Sequence, residues 1–494
     1  MRVVFACCVG LTLSVAACSA APDAGGSGGV AGGSATGGFG GSSGASASGG
    51  TGGFAAIGGV GGVGGGGGPC TGIQCQIRMC PSGTTTVSGT VYDPAGKNPL
   101  YNVAVYVPNA PVEPLPQGAS CDSCDSLYSG HPIAAALTDA AGRFTIQNVP
   151  DGSDIPLVVQ VGKWRRQYVM PTVAPCQDNP QADHSLTLPK NRSEGDIPKI
   201  AISTGGADTL ECLLRRIGVD ASEYVGGPAG DGRIHIFQGS GGFTIPFVGN
   251  FGAPNTDPPA PTSTSALWTS GDELKKYDIT LLSCEGAETA SMNQQALHDY
   301  ASAGGRVFAS HFHYSWFNTG PYGSENLATW TTGGNSINDI NGQIITTLAN
   351  GMPFPKGLAL QEWLGNVNAL TNGLLPIIDA KHNADVGPQH TFSQPWIVAD
   401  QSAQSPGATQ YFSFNTPTDA QNVVDGPGPC GRVVFSDLHV GAASSDMGNV
   451  AVPGGCNNAD LSAQEKALEF MLFDLSSCVT PDDSAPVPPV LVLE

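Results

Sequence analysis

The chain has 494 residues, of which 69 are glycine, and only 12% of its residues are charged. Its formal net charge of -21 at pH 7 repels nucleic-acid phosphates and anionic membrane surfaces, so no nucleic-acid partner is expected. The length predicts more than one domain, because a single hydrophobic core stops growing at about 250–300 residues.

The amino terminus is typical of an exported protein. Met1-Arg2 precedes a short apolar segment, too short to span a membrane, that ends in Val15-Ala16-Ala17-Cys18. This ending resembles a bacterial lipobox, which implies a signal peptide over residues 1–18 and a lipid anchor on Cys18. The alternatives are an ordinary signal peptide cleaved elsewhere and a buried helix. Because Ser19 rather than Asp follows, the resemblance implies anchoring to the outer membrane, on its periplasmic side or at the cell surface.

Residues 19–69 consist mainly of Gly, Ser and Ala, which cannot bury enough apolar surface to fold. We therefore predict a disordered tether there, followed by a cysteine-rich lead-in over residues 70–82.

Export predicts that most cysteines form disulfides. Of the 14 cysteines, 11 remain once Cys7, Cys8 and Cys18 are set aside, so at least one thiol stays free or pairs with another chain. Cys121-x-x-Cys124 has the spacing of a redox motif or half a zinc site, but a structural disulfide is the preferred interpretation. Cys284, at a strand end before Glu285-Gly286, superficially resembles a nucleophile elbow, but the leading glycine is missing and a disulfide with Cys212 is the preferred interpretation. Three late cysteines are expected to staple the last strand and helix: Cys430, Cys456 and Cys478.

Residues 83–192 show the short alternating strands of an all-β sandwich. The segments VSGTVYDPAGKNPLYNVAVYV, TDAAGRFTIQNVPDG and IPLVVQVGKW resemble a carboxypeptidase regulatory-like, transthyretin-type module. The resemblance implies an accessory domain with a carbohydrate-binding-like fold.

Residues 197–480 alternate strands and helices, which predicts a doubly wound, mostly parallel α/β sheet, and residues 481–494 form a tail. Predicted strands include Tyr277–Cys284, Gly305–Ser310 and Arg432–Ser436. The span from Tyr314 to Gln394 is long for one crossover and is interpreted as an insertion that roofs the site. Helices are predicted from capping boxes at Asp208-x-x-Glu211, Ser291-x-x-Gln294 and Ser462-x-x-Glu465, and from the spacing of Ile337, Ile340, Ile344 and Leu348.

The motifs YDITLL, ALHDYASAGGRVFASH and GRVVFSDLHV resemble the class I glutamine-amidotransferase-like fold and, within it, the trehalose-utilisation (ThuA-like) group. The resemblance puts His311 where an amidotransferase has its cysteine nucleophile, so glutamine hydrolysis is not expected. The ThuA-like pattern ends its late strand in Gly-His, whereas this chain has Leu438-His439 there.

The candidate catalytic residues are His311, His313, Asp437, His439 and Glu285. If the chain is extended both at His311–His313 and at Asp437–His439, these two pairs end on one edge of the sheet, where ligands bind. His311, His313 and His439 are then candidate ligands of a divalent metal with an open position. The alternative to a functional site is that these histidines are only hydrogen-bonded within the fold and have no function. Glu285 is either a general base or metal ligand, or an acidic residue at the entry of a helix.

Two functions remain open from the sequence. One is an exported envelope lipoprotein that binds or modifies a carbohydrate or related small molecule at this His-lined site. The other is a non-enzymatic surface adhesion or scaffold protein whose α/β domain is catalytically degenerate.

Overall fold

A computed structural model describes residues 70–121, 124–205, 207–239, 262–289, 291–422, 428–439 and 456–493. The predicted signal peptide, the tether and Cys18 lie outside these ranges. The described residues fall within one compact unit, Gly66–Glu494, which has several β-sheets and few helices. None of the helices described is long and apolar enough to cross a membrane.

The first part of this unit is built from two four-stranded sheets, as expected for a β-rich region before residue 190. The strands are β1 (Thr86–Tyr92), β2 (Ala104–Pro108), β3 (Pro132–Leu137), β4 (Arg143–Gln147), β5 (Gly152–Val161), β6 (Trp164–Val173), β7 (Asp178–Pro180) and β8 (Leu186–Thr187). One sheet has the order β4-β1-β7 with β8 also paired to β1, and the other has the order β3-β2-β5-β6. In β4, Phe144 and Ile146 are buried while their neighbours are exposed, the alternation that a half-buried strand requires.

The second part is organised around an 11-stranded mixed sheet. Its strands are β9 (Ile200–Ser203), β10 (Tyr224–Gly226), β11 (Ile234–Gln238), β12 (Thr262–Ser263), β13 (Ile279–Leu282), β14 (Arg306–Ser310), β16 (Ser336–Ile344), β17 (Leu375–Lys381), β19 (Ser393–Ala399), β20 (Thr409–Thr416) and β21 (Gly431–Ser436). Two further strands, β15 (Thr329–Trp330) and β18 (Ala384–Asp385), form a separate two-stranded sheet. The order is β10-β11-β9-β13-β14-β21-β20-β19-β16-β17, with β12 beside β11.

The sheet is parallel from β10 to β21 and antiparallel from β21 to β17. The prediction of a mostly parallel sheet is therefore correct for only one half. The span from 314 to 394 was expected to roof the site as an insertion, but it supplies β16, β17 and the start of β19 to this sheet. β16 and β17 pair antiparallel although the segment that joins them contains the helix Pro355–Asn366.

The predicted helix around Ile340 is the strand β16, and a bulge explains the error. The pairing of β16 with β17 shifts register between Asn338 and Ile340, so Ile337 and Ile340 are both buried although they are three apart. Beyond the bulge, Ile340, Gly342 and Ile344 alternate regularly towards the core. Because position 342 is glycine, the isoleucines of β16 are spaced by three and then four residues. This spacing is typical of a helix.

The helices are α1 (Cys124–Leu127), α2 (Leu210–Arg216), α3 (Gly271–Leu274), α4 (Gln294–Ser302), α5 (Gly320–Gly323), α6 (Pro355–Asn366) and α7 (Ala463–Ser476). The capping box at Ser462 and Glu465 is confirmed at the start of α7. Two other predicted caps are wrong: Thr209 precedes α2 and Asn293 precedes α4. At α2 the reason is visible, because the Asp208 carboxylate accepts a hydrogen bond from the Cys284 N–H group (3.2 Å) instead.

Nine of the described cysteines are disulfide-bonded, and among the described residues Cys284 alone is a free thiol. The predicted Cys212–Cys284 disulfide is wrong, because the Cys284 sulfur faces His311. Cys478 is disulfide-bonded, and the other pairs are Cys70–Cys75, Cys80–Cys176, Cys121–Cys430 and Cys212–Cys456. The Cys121–Cys430 bond joins the first part of the unit to the mixed sheet, which excludes the redox and zinc interpretations for Cys121 in this structure.

The two parts also share a buried pair of carboxyl groups, Asp93 after β1 and Glu469 on α7. The two side chains are hydrogen-bonded to each other, and Asn98 Nδ2 donates to Glu469 Oε2 (2.6 Å). Burial raises the pKa of both groups, and for Glu469 the negative charge of Asp93 raises it further. Folding therefore favours the protonated form of this pair.

We expect the protein to lose stability as the pH rises from about 4, the ordinary carboxyl pKa, to alkaline values, because a group whose pKa is raised by folding stabilises the native state only while protonated. Glu469→Gln should weaken this dependence and stabilise the protein by about 1–3 kcal/mol at the higher pH. Thermal unfolding across that range tests the prediction, with the exposed Glu362→Gln on α6 as the matched control. Parallel pH profiles for wild type and Glu469→Gln would contradict it.

Candidate functional site

Three neighbouring parallel strands, β13, β14 and β21, end at the same edge of the mixed sheet. Cys284 lies two residues beyond β13, His311 directly follows β14, and His439 lies three residues beyond β21. The carboxyl edge of parallel strands is where α/β sheets bind ligands. The side chains of all three residues are almost fully buried, with exposed fractions of 0%, 2% and 7%.

His311 occupies a sharp turn from strand to 3-10 helix, with a φ of 39° in the left-handed region that non-glycine residues rarely adopt. Its Nε2 lies 3.2 Å from the carbonyl oxygen of Gly334, and its Nδ1 lies 3.3 Å from Cys284 Sγ. Since a carbonyl oxygen only accepts hydrogen bonds, Nε2 must carry the proton. In the neutral imidazole, the lone pair of Nδ1 then points at the sulfur.

His439 approaches the same sulfur from the next strand. Its Nδ1 lies 3.6 Å from Asp379 Oδ2, and its ring centroid is 5.0 Å from that of His311. Its other nitrogen, Nε2, is the one left to face Cys284. One donor atom from each of Cys284, His311 and His439 lies within 4.8 Å of the other two. We call these three residues the thiol–imidazole cluster.

The surroundings give the two imidazoles opposite charge preferences. Burial, together with repulsion from His439 and Lys381, lowers the pKa of His311 to about 3. Burial also opposes protonation of His439, but Asp208, Asp379 and Cys284 outweigh it and raise the pKa of His439 to about 10. The hydrogen bond to His439 in turn lowers the pKa of Asp379. The cluster is thus set in an environment negative enough to hold one cation.

The structure does not bring His313 into this cluster. The prediction that His311 and His313 share one face assumed an extended chain, whereas both lie in the 3-10 helix His311–Trp316. His313 Nδ1 faces the carbonyl oxygen of Ser310 at 3.0 Å, and burial lowers the pKa of His313 to about 4. This arrangement matches the hydrogen-bonded, non-ligand alternative for His313.

Asp437 and Glu285 lie at the same sheet edge but outside the thiol–imidazole cluster. Asp437 Oδ2 accepts a hydrogen bond from Asn383 N–H (2.8 Å), and burial raises the pKa of Asp437 to about 7. Glu285 Oε1 accepts a hydrogen bond from Ser203 Oγ (3.2 Å). Both carboxyl groups are fully buried and contact neighbouring loops and strands.

Cys284, Asp379 and Gly334 complete the site but are not among the site residues predicted from the sequence. Cys284 was assigned to a disulfide, and Asp379 on β17 and Gly334 belong to the span taken for an insertion. The position of Cys284 at the end of a predicted strand was a usable signal for its role. The pairing of β13 with β14, which brings Cys284 beside His311, is not visible in the sequence.

The arrangement supports two kinds of chemistry. A thiolate with two imidazoles is a ligand set for a transition metal. A thiol beside one imidazole is a potential nucleophile with its base. In both cases the reactive atom is Cys284 Sγ.

Gly205 allows the loop after β9 to pass close to Cys284. A Cβ at this position would lie 2.0 Å from the Cys284 carbonyl oxygen, which already accepts a hydrogen bond from Ala207 N–H (3.0 Å). We expect Gly205→Ala to displace this contact and to destabilise the protein by about 1–3 kcal/mol, as overpacking does. Urea unfolding measures the change. Gly365→Ala in α6, where nothing lies within 4 Å of the added carbon, is the matched control, and equal stabilities of the two variants would refute the steric argument.

No protein-family model matches the chain, and no curated protein matches it. Among solved structures, it is similar to a C-terminal interface mutant of a type II cohesin–X-dockerin complex from Acetivibrio cellulolyticus at 14% identity, over 25% of this chain and 78% of that chain, with a TM-score of 0.15. The N-terminal interface mutant of the complex gives 14% identity, 28% and 85% coverage and a TM-score of 0.16. A 9R-lipoxygenase from Cyanothece PCC8801 gives 16% identity, 24% and 19% coverage and a TM-score of 0.13. Similarities this weak carry no argument about fold or function.

Proposed function

We propose that the protein is an exported envelope lipoprotein that binds or modifies a carbohydrate or related small molecule at the thiol–imidazole cluster. In this proposal the two four-stranded sheets are a carboxypeptidase regulatory-like sandwich, and the mixed sheet belongs to a ThuA-like, amidotransferase-like α/β domain. The lipid on Cys18 attaches the chain to the outer membrane. The observation that carries the proposal is the convergence of Cys284, His311 and His439 within 4.8 Å at the carboxyl edge of parallel strands.

The cysteines support the export part of this proposal. Disulfides form and persist in oxidising compartments, and nine described cysteines are paired, across separations of up to 309 residues. Cys284 is the exception among them, and it lies in the site. A thiol that stays reduced among disulfides, buried between two imidazoles, suits a chemical role.

Ligand-induced stabilisation tests the small-molecule part of the proposal. We expect at least one member of a panel of monosaccharides, disaccharides and polyols to raise the Tm of the full-length protein. The shift should disappear in Cys284→Ser and His311→Ala and persist in His298→Ala. His298 is a suitable control because it is a half-buried histidine on α4 that pairs with Glu325 (3.2 Å). No shift with any panel member, or an unchanged shift in both cluster variants, would contradict the proposal.

A second candidate function is a non-enzymatic adhesion or scaffold protein. The burial of the cluster favours it, because side chains exposed by no more than 7% present little surface to a substrate. For a scaffold, the cluster variants would change stability and leave every ligand response unaltered.

A further inference from the structure

We infer that Cys284 Sγ, His311 Nδ1 and His439 Nε2 form a mononuclear transition-metal site, with zinc as the expected occupant. The inference rests on the cluster that the proposed function uses, but not on the ligand proposed there. It also replaces the sequence-based set of three histidines, because Cys284 takes the place of His313.

The three donor atoms have the orientation that a metal requires. His311 Nε2 is occupied by the Gly334 carbonyl oxygen, which leaves Nδ1 directed at Cys284 Sγ (3.3 Å). His439 Nδ1 faces Asp379, which leaves Nε2 as the nitrogen available on the side of Cys284. With both imidazoles neutral, as metal binding requires, His311 Nδ1 and His439 Nε2 are the nitrogens that can bind a metal together with the buried sulfur.

The groups behind the imidazoles are those that support metal-binding histidines. Such histidines almost always donate their second N–H to a backbone carbonyl or a carboxylate, which fixes the tautomer and the ring orientation. Here the Gly334 carbonyl oxygen takes this position for His311, and the Asp379 carboxylate takes it for His439. Lys381 Nζ holds the same carboxylate in place at 2.6 Å.

The charge of the site also fits a divalent cation. Zinc with one thiolate and two neutral imidazoles carries one positive charge, and Lys381 adds a second; the carboxylate of Asp379 offsets one of the two. Asp208, whose charge also acts on His439, adds a second negative group on the side of Cys284. No carboxylate is needed as a direct ligand.

The donor set selects the class of metal. Thiolate and imidazole suit zinc and copper, whereas calcium and magnesium prefer oxygen ligands. Three protein ligands leave the fourth tetrahedral position open, as in catalytic zinc sites. A nucleophilic thiol, by contrast, needs only one base and does not explain the second oriented imidazole.

Metal loading of the full-length protein tests the inference. After incubation with excess zinc and removal of the unbound ion, we expect about one zinc per chain by mass spectrometry. Cys284→Ser, His311→Ala and His439→Ala should each weaken zinc binding at least about 100-fold, while His298→Ala should bind as the wild type does. Asp379→Asn should weaken it by about 10–100-fold, the usual effect of removing an outer-shell partner.

Cobalt and copper provide readouts that a merely structural role would not move. Co²⁺ bound to the wild type should show a thiolate-to-cobalt charge-transfer absorption that is absent in Cys284→Ser. Cu²⁺ bound with the same sensitivity to the three cluster variants supports the site with copper as occupant. Circular dichroism identifies any variant that fails to fold. If the histidine variants do not fold, Cys284→Ser, the mildest substitution, decides whether the cluster binds the metal.

The inference is overturned if the folded wild type takes up less than about a tenth of an equivalent of either metal, or if folded Cys284→Ser binds zinc as tightly as the wild type. Stoichiometric metal without any sugar response would leave the metal site standing and remove the proposed function. A sugar response without metal would do the reverse.

Discussion

Replacing Asp474 by alanine is expected to lower the free energy of unfolding by about 3–5 kcal/mol, because it leaves two buried cations without their shared anion. Asp474 lies near the end of α7, where Oδ1 is 2.8 Å from Lys356 Nζ on α6 and Oδ2 is 3.5 Å from Arg432 Nε on β21. The two cationic side chains are exposed by only 1–2%. One carboxylate therefore ties the last helix to another helix and to the central sheet.

Charge and burial decide the size of this effect. Burial lowers the pKa of Lys356, and the two cations keep the pKa of the buried Asp474 below its ordinary value. Asp482, the other partner of Arg432 at 3.2 Å, is 22% exposed, so Asp482→Ala should cost only about 1 kcal/mol and serves as the matched control.

Urea unfolding measures these differences. Adding Lys356→Met to Asp474→Ala should recover part of the loss, since one unpaired cation is removed. A stability of Asp474→Ala within about 1 kcal/mol of the wild type would show that the three charges do not act as a buried network.

Removing zinc from the wild type is the second change with a large expected effect. A ligand that binds only the folded state at a thousand times its Kd stabilises it by about 4 kcal/mol. Zinc at that excess should therefore raise the Tm by several degrees, and a chelator should reverse the shift. The stabilisation arises because a metal fixes the ends of β13, β14 and β21 against one another.

The controls separate site binding from weak binding at other histidines. Cys284→Ser should show almost no zinc-dependent shift, and His298→Ala should show the full shift. A zinc effect of equal size in Cys284→Ser would place the responsible metal elsewhere on the chain.

Much of the local structure could be predicted from the sequence. The apolar runs around Leu281, Phe308 and Val434 are strands, and the capping box at Ser462 begins the last helix. These features depend on residues close in sequence, so pattern and propensity suffice to find them. The carboxyl edge that carries His311 and His439 was found in the same way.

The antiparallel half of the sheet could not be predicted, because it depends on interactions between distant residues. The bulge in β16 and the glycine at position 342 gave a strand the apolar spacing of a helix. The contact between Asp379 and His439 likewise has no local signal, because β17 is the edge strand and lies four places from β21 in the sheet.

The candidate site was predicted in part. His311 and His439 come together as expected, whereas His313 is turned away because the chain enters a 3-10 helix at His311. The role of Cys284 was obscured by cysteine counting, since in an exported chain each thiol is first expected to pair. Only the pairing of Cys212 with Cys456 leaves Cys284 for the site.

X-ray absorption at the zinc edge on the loaded full-length protein tests the metal site most directly. The account predicts one sulfur at about 2.3 Å and two imidazole nitrogens at about 2.0–2.1 Å from a single zinc, with the sulfur lost in Cys284→Ser. A zinc shell without sulfur in the wild type, or one that Cys284→Ser leaves unchanged, would contradict the assignment of Cys284, His311 and His439 as its ligands.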